Sequence, residues 1–155
     1  MTTFSCLTLD EIVNILDDTE LEYEVDFDET NSDDYPAIYC SIFDYLFTII
    51  PRGNGPFFEE LIFSMELHTE FVPLTACTAY NRTYYYSCAV PIELEVSEGY
   101  VRSEIENVYI SRVEMLMGGV SREHLLRVIS MWTAVVCLAH EFFNPSDEDS
   151  DDQIL

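Results

Sequence analysis

The sequence contains no lysine, and only six arginines accompany 30 aspartates and glutamates, so the formal net charge is -24 at pH 7. Binding to a nucleic-acid backbone or to an anionic lipid surface needs clustered cations. So few arginines cannot supply them, and the charge therefore argues against nucleic acid and membranes as partners. A basic protein is the partner that the charge favours. Adaptation to high salt is a minor alternative explanation for the acidity.

Export signals and long apolar runs are also missing. The first arginine is Arg52, so the N-terminus has no basic region followed by an apolar one. The longest apolar-rich run covers residues 128–139 and is shorter than the roughly 20 residues that a membrane helix needs. The sequence therefore predicts a soluble protein of the cytoplasm.

Cysteine usage does not indicate a disulfide framework. The five cysteines are an odd number without a CxxC pair, and they predict reduced side chains that fill apolar space. They are Cys6, Cys40, Cys77, Cys88 and Cys137.

Signatures of catalysis and of metal binding are lacking as well. The three histidines, His68, His124 and His140, lie far apart and form no HxxxH or HExxH site. Asp26 and Asp28 form a DxD, but they continue the polar side of an alternating strand, which explains them without a metal. We therefore expect no enzymatic activity, no metal and no cofactor, and an enzyme with a dispersed carboxylate site is the least favoured alternative.

The first part of the chain predicts a helix followed by an antiparallel sheet. Thr8 and Glu11 form a capping box at the start of an amphipathic helix. Residues 21–28 then alternate apolar and acidic side chains, as in a strand with one buried face and one anionic face. Residues 37–43 and 45–50 predict a hairpin, and a further alternating strand follows the turn at residues 51–56.

The second part predicts a short helix at residues 73–82, two strand arms and a long helix. The arms cover residues 84–96 and 100–117, with a turn at residues 97–99, and Pro91 is expected at a bulge or a sheet edge. Ser121 is the expected N-cap of a helix that runs to Phe143. The prediction is therefore a single α+β domain at residues 1–144, with an antiparallel sheet and three helices, and an acidic, disordered tail at residues 145–155.

Two sets of residues are candidates for binding surfaces. The last helix is apolar nearly all round and needs a second surface to bury it, which predicts a homodimer. The candidate dimer residues are Leu126, Met131, Trp132, Val135, Leu138 and Phe142. The candidate partner-binding residues are the acids of the alternating strand and the tyrosine run, namely Glu22, Glu24, Asp26, Tyr84, Tyr85 and Tyr86.

Three segments resemble the YbjN family. They are the stretch at residues 79–82 that reads Ala-Tyr-Asn-Arg, the stretch at residues 114–121 that contains Gly118 and Gly119, and the terminal helix that contains Trp132. The resemblance covers about residues 8–143. It implies a fold like that of the type III secretion chaperones and a role in sensory-transduction regulation, and those chaperones are small acidic homodimers that hold a partner segment in an extended form.

These observations together predict a non-enzymatic protein-binding module, either chaperone-like or a regulatory adaptor, that acts as a homodimer. The alternative is an acidic decoy that mimics nucleic acid toward a basic protein. A decoy needs little exposed apolar surface, whereas a chaperone-like module needs an apolar groove or an open sheet edge beside the charge.

Overall fold

The structure is a computed structural model, and it describes residues 2–28, 30, 35–69, 73–92 and 107–145. In chain order, the elements of these residues are β1 (Thr3–Phe4), α1 (Leu9–Leu16), β2 (Glu22–Asp26), β3 (Ala37–Ile42), β4 (Tyr45–Arg52), β5 (Glu60–His68), α2 (Pro73–Thr83), β6 (Cys88–Pro91), β7 (Asn107–Met115), β8 (Val120–Ser121) and α3 (Arg122–Phe143).

The architecture is α+β with an antiparallel sheet, as the sequence predicts. The main sheet has the strand order β2-β3-β4-β5-β7-β6. Neighbouring pairs β2 and β3, β3 and β4, β4 and β5, and β6 and β7 are all antiparallel. Pro91 lies on β6 at one end of this order, which agrees with its predicted edge position. The sequence did not predict the small second sheet formed by β1 and β8.

Local sequence signals explain where the helices begin. The Thr8 hydroxyl accepts a hydrogen bond from the Glu11 amide, and the Glu11 carboxylate accepts one from the Thr8 amide, so the predicted capping box is confirmed. Ser121 caps α3 by accepting a hydrogen bond from the His124 amide. These contacts satisfy amides that otherwise lack a partner in the first turn.

The chain groups into two compact units, each described by itself. Unit 1 is Met1–Ser64 with Arg112–Ala134, and unit 2 is Met65–Ser111 with Val135–Leu155. The strands β5 and β7 and the helix α3 contribute residues to both units.

The core of unit 1 lies between one face of the sheet and the helices α1 and α3. Trp132 is fully buried, and the centroid of its ring lies 6.2 Å from that of Phe47 and 5.8 Å from that of Phe63. Ile49 and Phe63, which are paired on β4 and β5, are buried on the same side. Aromatic rings at these distances pack favourably, so the indole fixes α3 on this face of the sheet.

The core of unit 2 is an aromatic cluster. Tyr80 of α2 is fully buried, and its ring packs against those of Tyr84, Phe142 and Phe143. The Asn81 side chain both donates to and accepts from the backbone of Ala89, with both hydrogen bonds at 2.8 Å. This paired contact ties α2 to β6 and gives a structural role to the Tyr-Asn stretch that the sequence analysis singled out.

The structure corrects two sequence predictions. Residues 84–87 are not part of a strand, because β6 begins at Cys88, and Tyr84 instead packs beside Tyr80 after the end of α2. Cys88 is exposed and does not fill apolar space, unlike the buried Cys40 and Cys77. The predicted turn at residues 97–99 and the tail from residue 146 lie outside the described residues.

Candidate protein-binding surface

The sheet of unit 1 has a second face, opposite to the one that packs against α1 and α3. On β4, Phe47 and Ile49 point toward the helices, so Leu46, Thr48 and Ile50 leave the strand on the opposite side. The register extends this side to β2, β3 and β5. On β7, Glu114 contacts His124 of α3, so the alternating Val113 and Met115 leave the strand on the opposite side. We call this surface the outer face, and it contains Glu22, Glu24, Asp26, Tyr39, Ser41, Leu46, Thr48, Ile50, Ile62, Val113 and Met115.

An acidic row forms one border of the outer face. It consists of Glu22, Glu24 and Asp26 of β2, which are all exposed and share one side of the strand. Within the described part of the chain, the ion pairs use Asp18 and Glu114 as their acids and leave the acidic row out. The carboxylates of the row therefore remain accessible to the charges of a partner.

Apolar side chains lie next to the acidic row. Tyr39 is paired with Glu24 and is exposed, and Leu46 is 72% exposed on the next strand. Val113 and Met115 of β7 are also exposed and alternate with the buried Glu114, but they lie on the far side of the outer face, with β3, β4 and β5 between them and the acidic row. Exposed apolar side chains that cluster beside polar ones are typical of interaction sites.

The turn of the β3–β4 hairpin adds another exposed aromatic. Phe43 and Asp44 have φ values of 51° and 67°, a left-handed conformation that bulky residues rarely adopt. Phe43 is 73% exposed, so its ring gains little from burial in this chain. Positive φ at both central residues is what a two-residue hairpin turn requires, and that requirement overrides the preference of phenylalanine.

The tyrosine run belongs to unit 2, whereas the acidic row belongs to unit 1. Tyr85 is 89% exposed, Tyr86 is half-buried, and Tyr84 packs against Tyr80 and Phe142. Of the three predicted tyrosines, Tyr85 therefore has the side chain most available to a partner.

The predicted dimer residues differ widely in their exposure. Trp132 and Val135 are buried, and Phe142 packs against Tyr80, so these side chains are used within the chain itself. Leu126 and Leu138 are half-buried, and Met131 is 45% exposed. Part of the apolar surface of α3 is thus buried within the units, and Met131 is the most exposed of the six predicted residues.

An ionic cluster around the buried Glu114 was not predicted from the sequence. Glu114 accepts a hydrogen bond from Arg112 at 3.3 Å, and its other carboxylate oxygen lies 2.8 Å from Nε2 of His124. Glu114 is buried and His124 is partly exposed. Arg112 and Glu114 are two residues apart on β7, so their side chains lie on the same face of the strand. This pair of opposite charges on one face was the sequence signal from which the cluster could have been predicted.

The described residues contain no group of three or more histidines, cysteines and acids that could hold a metal ion. The three histidines have separate surroundings. His124 contacts Glu114, the His68 carbonyl accepts a hydrogen bond from the Asn144 side chain, and burial lowers the pKa of His140.

Within the described ranges, α3 is long and apolar enough to span a membrane by length and composition alone. The core helix of a soluble domain passes the same test. Trp132, Val136 and Phe143 of this helix are fully buried in the units, which accounts for its apolar character.

Comparison with known proteins gives one informative match. No family model matches the chain, and no curated protein does. The crystal structure of YbjN from E. coli, described as a candidate transcription regulator, is similar with a TM-score of 0.58 and 14% sequence identity. The match covers 84% of this chain and 85% of that chain. The likeness at this identity is one of fold, and it agrees with the α+β architecture that the sequence predicts.

Proposed function

We propose that this protein is a non-enzymatic protein-binding module of the cytoplasm, a regulatory adaptor or chaperone that binds a basic protein through the outer face. One observation carries the proposal, namely that the exposed acidic row and the exposed Tyr39 and Leu46 share one sheet face. The regulatory description of YbjN, a protein of similar fold, is consistent with it.

The two parts of the outer face have different tasks in this proposal. The acidic row attracts a basic partner over a distance and raises the association rate, an effect that salt weakens. Tyr39 and Leu46 lose their water on contact and slow dissociation, as buried aromatic and aliphatic anchors do in other interfaces.

The decoy alternative is less well supported. A surface that imitates nucleic acid has little exposed apolar area among its charges. The exposed Leu46 and Met115 are therefore out of place on a surface that imitates a phosphate backbone.

A homodimer through α3 is part of the proposal, with Met131 as its central exposed apolar residue. Light scattering at micromolar concentration is then expected to give about twice the chain mass of 17.9 kDa. The substitution Met131→Asp is expected to give monomers, and Ser130→Asp, at an exposed neighbouring position, is the control. A wild-type monomer, or the same mass for both variants, would contradict the dimer.

The test of the proposed function is a comparative capture from an extract of the native host. The row variant carries Glu22→Gln, Glu24→Gln and Asp26→Asn. The control variant carries Glu59→Gln, Glu123→Gln and Glu141→Gln, which are three exposed acids elsewhere and give the same change in net charge.

We expect one or more basic proteins to be recovered and identified with wild type and control but lost with the row variant. Equal recovery with all three would contradict the proposal. Nucleic acid added to the captured complex separates the two functions, because a decoy competes for the nucleic-acid site of its partner and an adaptor leaves that site open.

A further inference from the structure

The strand β2 is at the edge of the main sheet. In the described part of the chain, β3 is the strand that pairs with it, and the strand order begins with β2. The register pairs Glu22 with Ser41 and Asp26 with Ala37, so one side of the strand is satisfied by β3 along its whole length. Alternate amides and carbonyls of an edge strand point away from the sheet and are a template for a further strand.

The side chains of β2 are sorted by face. Glu22, Glu24 and Asp26 are exposed on the outer face, whereas Tyr23 and Val25 are half-buried on the other. A strand that is added to this edge would therefore meet carboxylates on one of its faces and an aromatic and an aliphatic side chain on the other. Opposite charges that face each other across two strands stabilise the pairing, and like charges destabilise it.

We propose that the edge of β2 binds an extended segment of a partner protein in which basic residues alternate with apolar or β-branched ones. This inference rests on the proposed function and specifies its partner. The backbone of the segment continues the sheet beyond β2, its basic side chains face the acidic row, and its alternate side chains pack beside Tyr23 and Val25. An isolated arginine or lysine on a folded surface would satisfy one carboxylate at most.

A second copy of this chain does not fit the edge. Pairing of β2 with its own copy would bring the two acidic rows together. No other segment of the chain can replace it, because the sequence has no lysine and the arginines lie at positions 52, 82, 102, 112, 122 and 127. No two of them are close enough to face neighbouring carboxylates of the acidic row from one strand. The occupant is therefore another protein.

The probe is a synthetic peptide with capped ends and the sequence Lys-Thr-Lys-Val-Lys-Thr-Lys. An isomer, Lys-Lys-Lys-Lys-Thr-Val-Thr, has the same composition and charge without the alternation. Two further versions carry N-methyl groups on alternate residues, in either phase, which removes the hydrogen-bond donors along one side of the peptide and leaves its charge unchanged.

Binding is measured by NMR titration of the full chain at low salt, together with hydrogen exchange of the β2 amides. We expect the alternating peptide to bind about tenfold or more tightly than the isomer. One of the methylated versions is expected to bind as weakly as the isomer. Amide exchange within residues 22–26 should slow when the alternating peptide binds, a change that electrostatic contact alone would not produce.

A charge swap gives a second test. With Glu22→Lys, Glu24→Lys and Asp26→Lys, the chain should lose the lysine peptide and bind Glu-Thr-Glu-Val-Glu-Thr-Glu instead. Equal binding of peptide and isomer, no slowing of exchange, or no binding of the alternating peptide would each overturn the inference. The two proposals can fail separately. If the peptide tests fail but the row variant still does not capture the basic protein, the proposed function stands without strand addition. If the row variant does capture the basic protein, the proposed function is contradicted whatever the peptide does.

Discussion

Glu24 lies directly opposite Tyr39 in the register of β2 and β3, and both side chains are exposed on the outer face. A carboxylate and an aromatic ring that are direct cross-strand neighbours offer a partner charge and apolar area at one point. The opposite face of the sheet packs against Trp132 of α3 through Phe47 of β4 and Phe63 of β5. One face of the sheet thus contributes to the core, and the proposed function assigns recognition to the other.

Phe43 is expected to be replaceable with a gain in stability. Its left-handed φ is unfavourable for a bulky side chain and is tolerated better by asparagine. The substitution Phe43→Asn should raise the free energy of unfolding by about 1 kcal/mol. Urea denaturation measures the change. Phe57→Asn, at another exposed phenylalanine, is the control, and an equal effect of both substitutions would show that φ is not the cause.

Glu114 is expected to matter more for stability than other acids. The substitution Glu114→Gln removes a buried negative charge from the contacts with Arg112 and His124. We expect a loss of about 2 kcal/mol, compared with less than about 0.5 kcal/mol for Glu66→Gln at an exposed position of β5. Equal losses in urea denaturation would mean that the cluster contributes nothing beyond net charge.

His140 should make the protein less stable in mild acid. Burial lowers the pKa of His140 below 6.5, so in acid the unfolded chain binds a proton that the folded chain does not. The contribution of this group is present above about pH 6.5 and is lost as the pH falls through the lower pKa of the folded state. We therefore expect the free energy of unfolding of wild type to fall relative to that of His140→Gln as the pH is lowered from 7.5 to 5. A constant difference would contradict this reading.

The cysteines should differ in reactivity. Burial raises the pKa of Cys40 to about 12 and that of Cys77 to about 11, whereas Cys88 is exposed. Since the thiolate is the reactive form, a short iodoacetamide pulse at pH 8 should label Cys88 and leave Cys40 and Cys77 unlabelled until urea is added. Mass spectrometry of peptides identifies the labelled positions, and rapid labelling of Cys40 in the folded protein would show that it is accessible.

Much of the fold follows from local patterns in the sequence. The alternation around Tyr23 predicts β2 and its anionic face, and Thr8 and Ser121 predict where α1 and α3 begin. Helix caps and period-two alternation are local properties, so a single sequence reveals them.

Other features depend on contacts that the sequence does not display. The tyrosine run has strong strand character, but the contact of Tyr84 with the ring of Tyr80 at the end of α2 takes precedence. The residues of β4 are mostly apolar on both sides, so no pattern shows that Leu46 faces outward while Phe47 is buried. Because register decides this, the apolar half of the outer face could not be predicted.

The association rate of the captured basic protein with the row variant tests the central claim most directly. It is compared with the rates of wild type and of the equally charged control variant, at low salt and at high salt. We predict that the row variant associates about tenfold more slowly than the control at low salt, and that the difference disappears at high salt. Equal rates for the row variant and the control at low salt would contradict the claim that the outer face binds the partner.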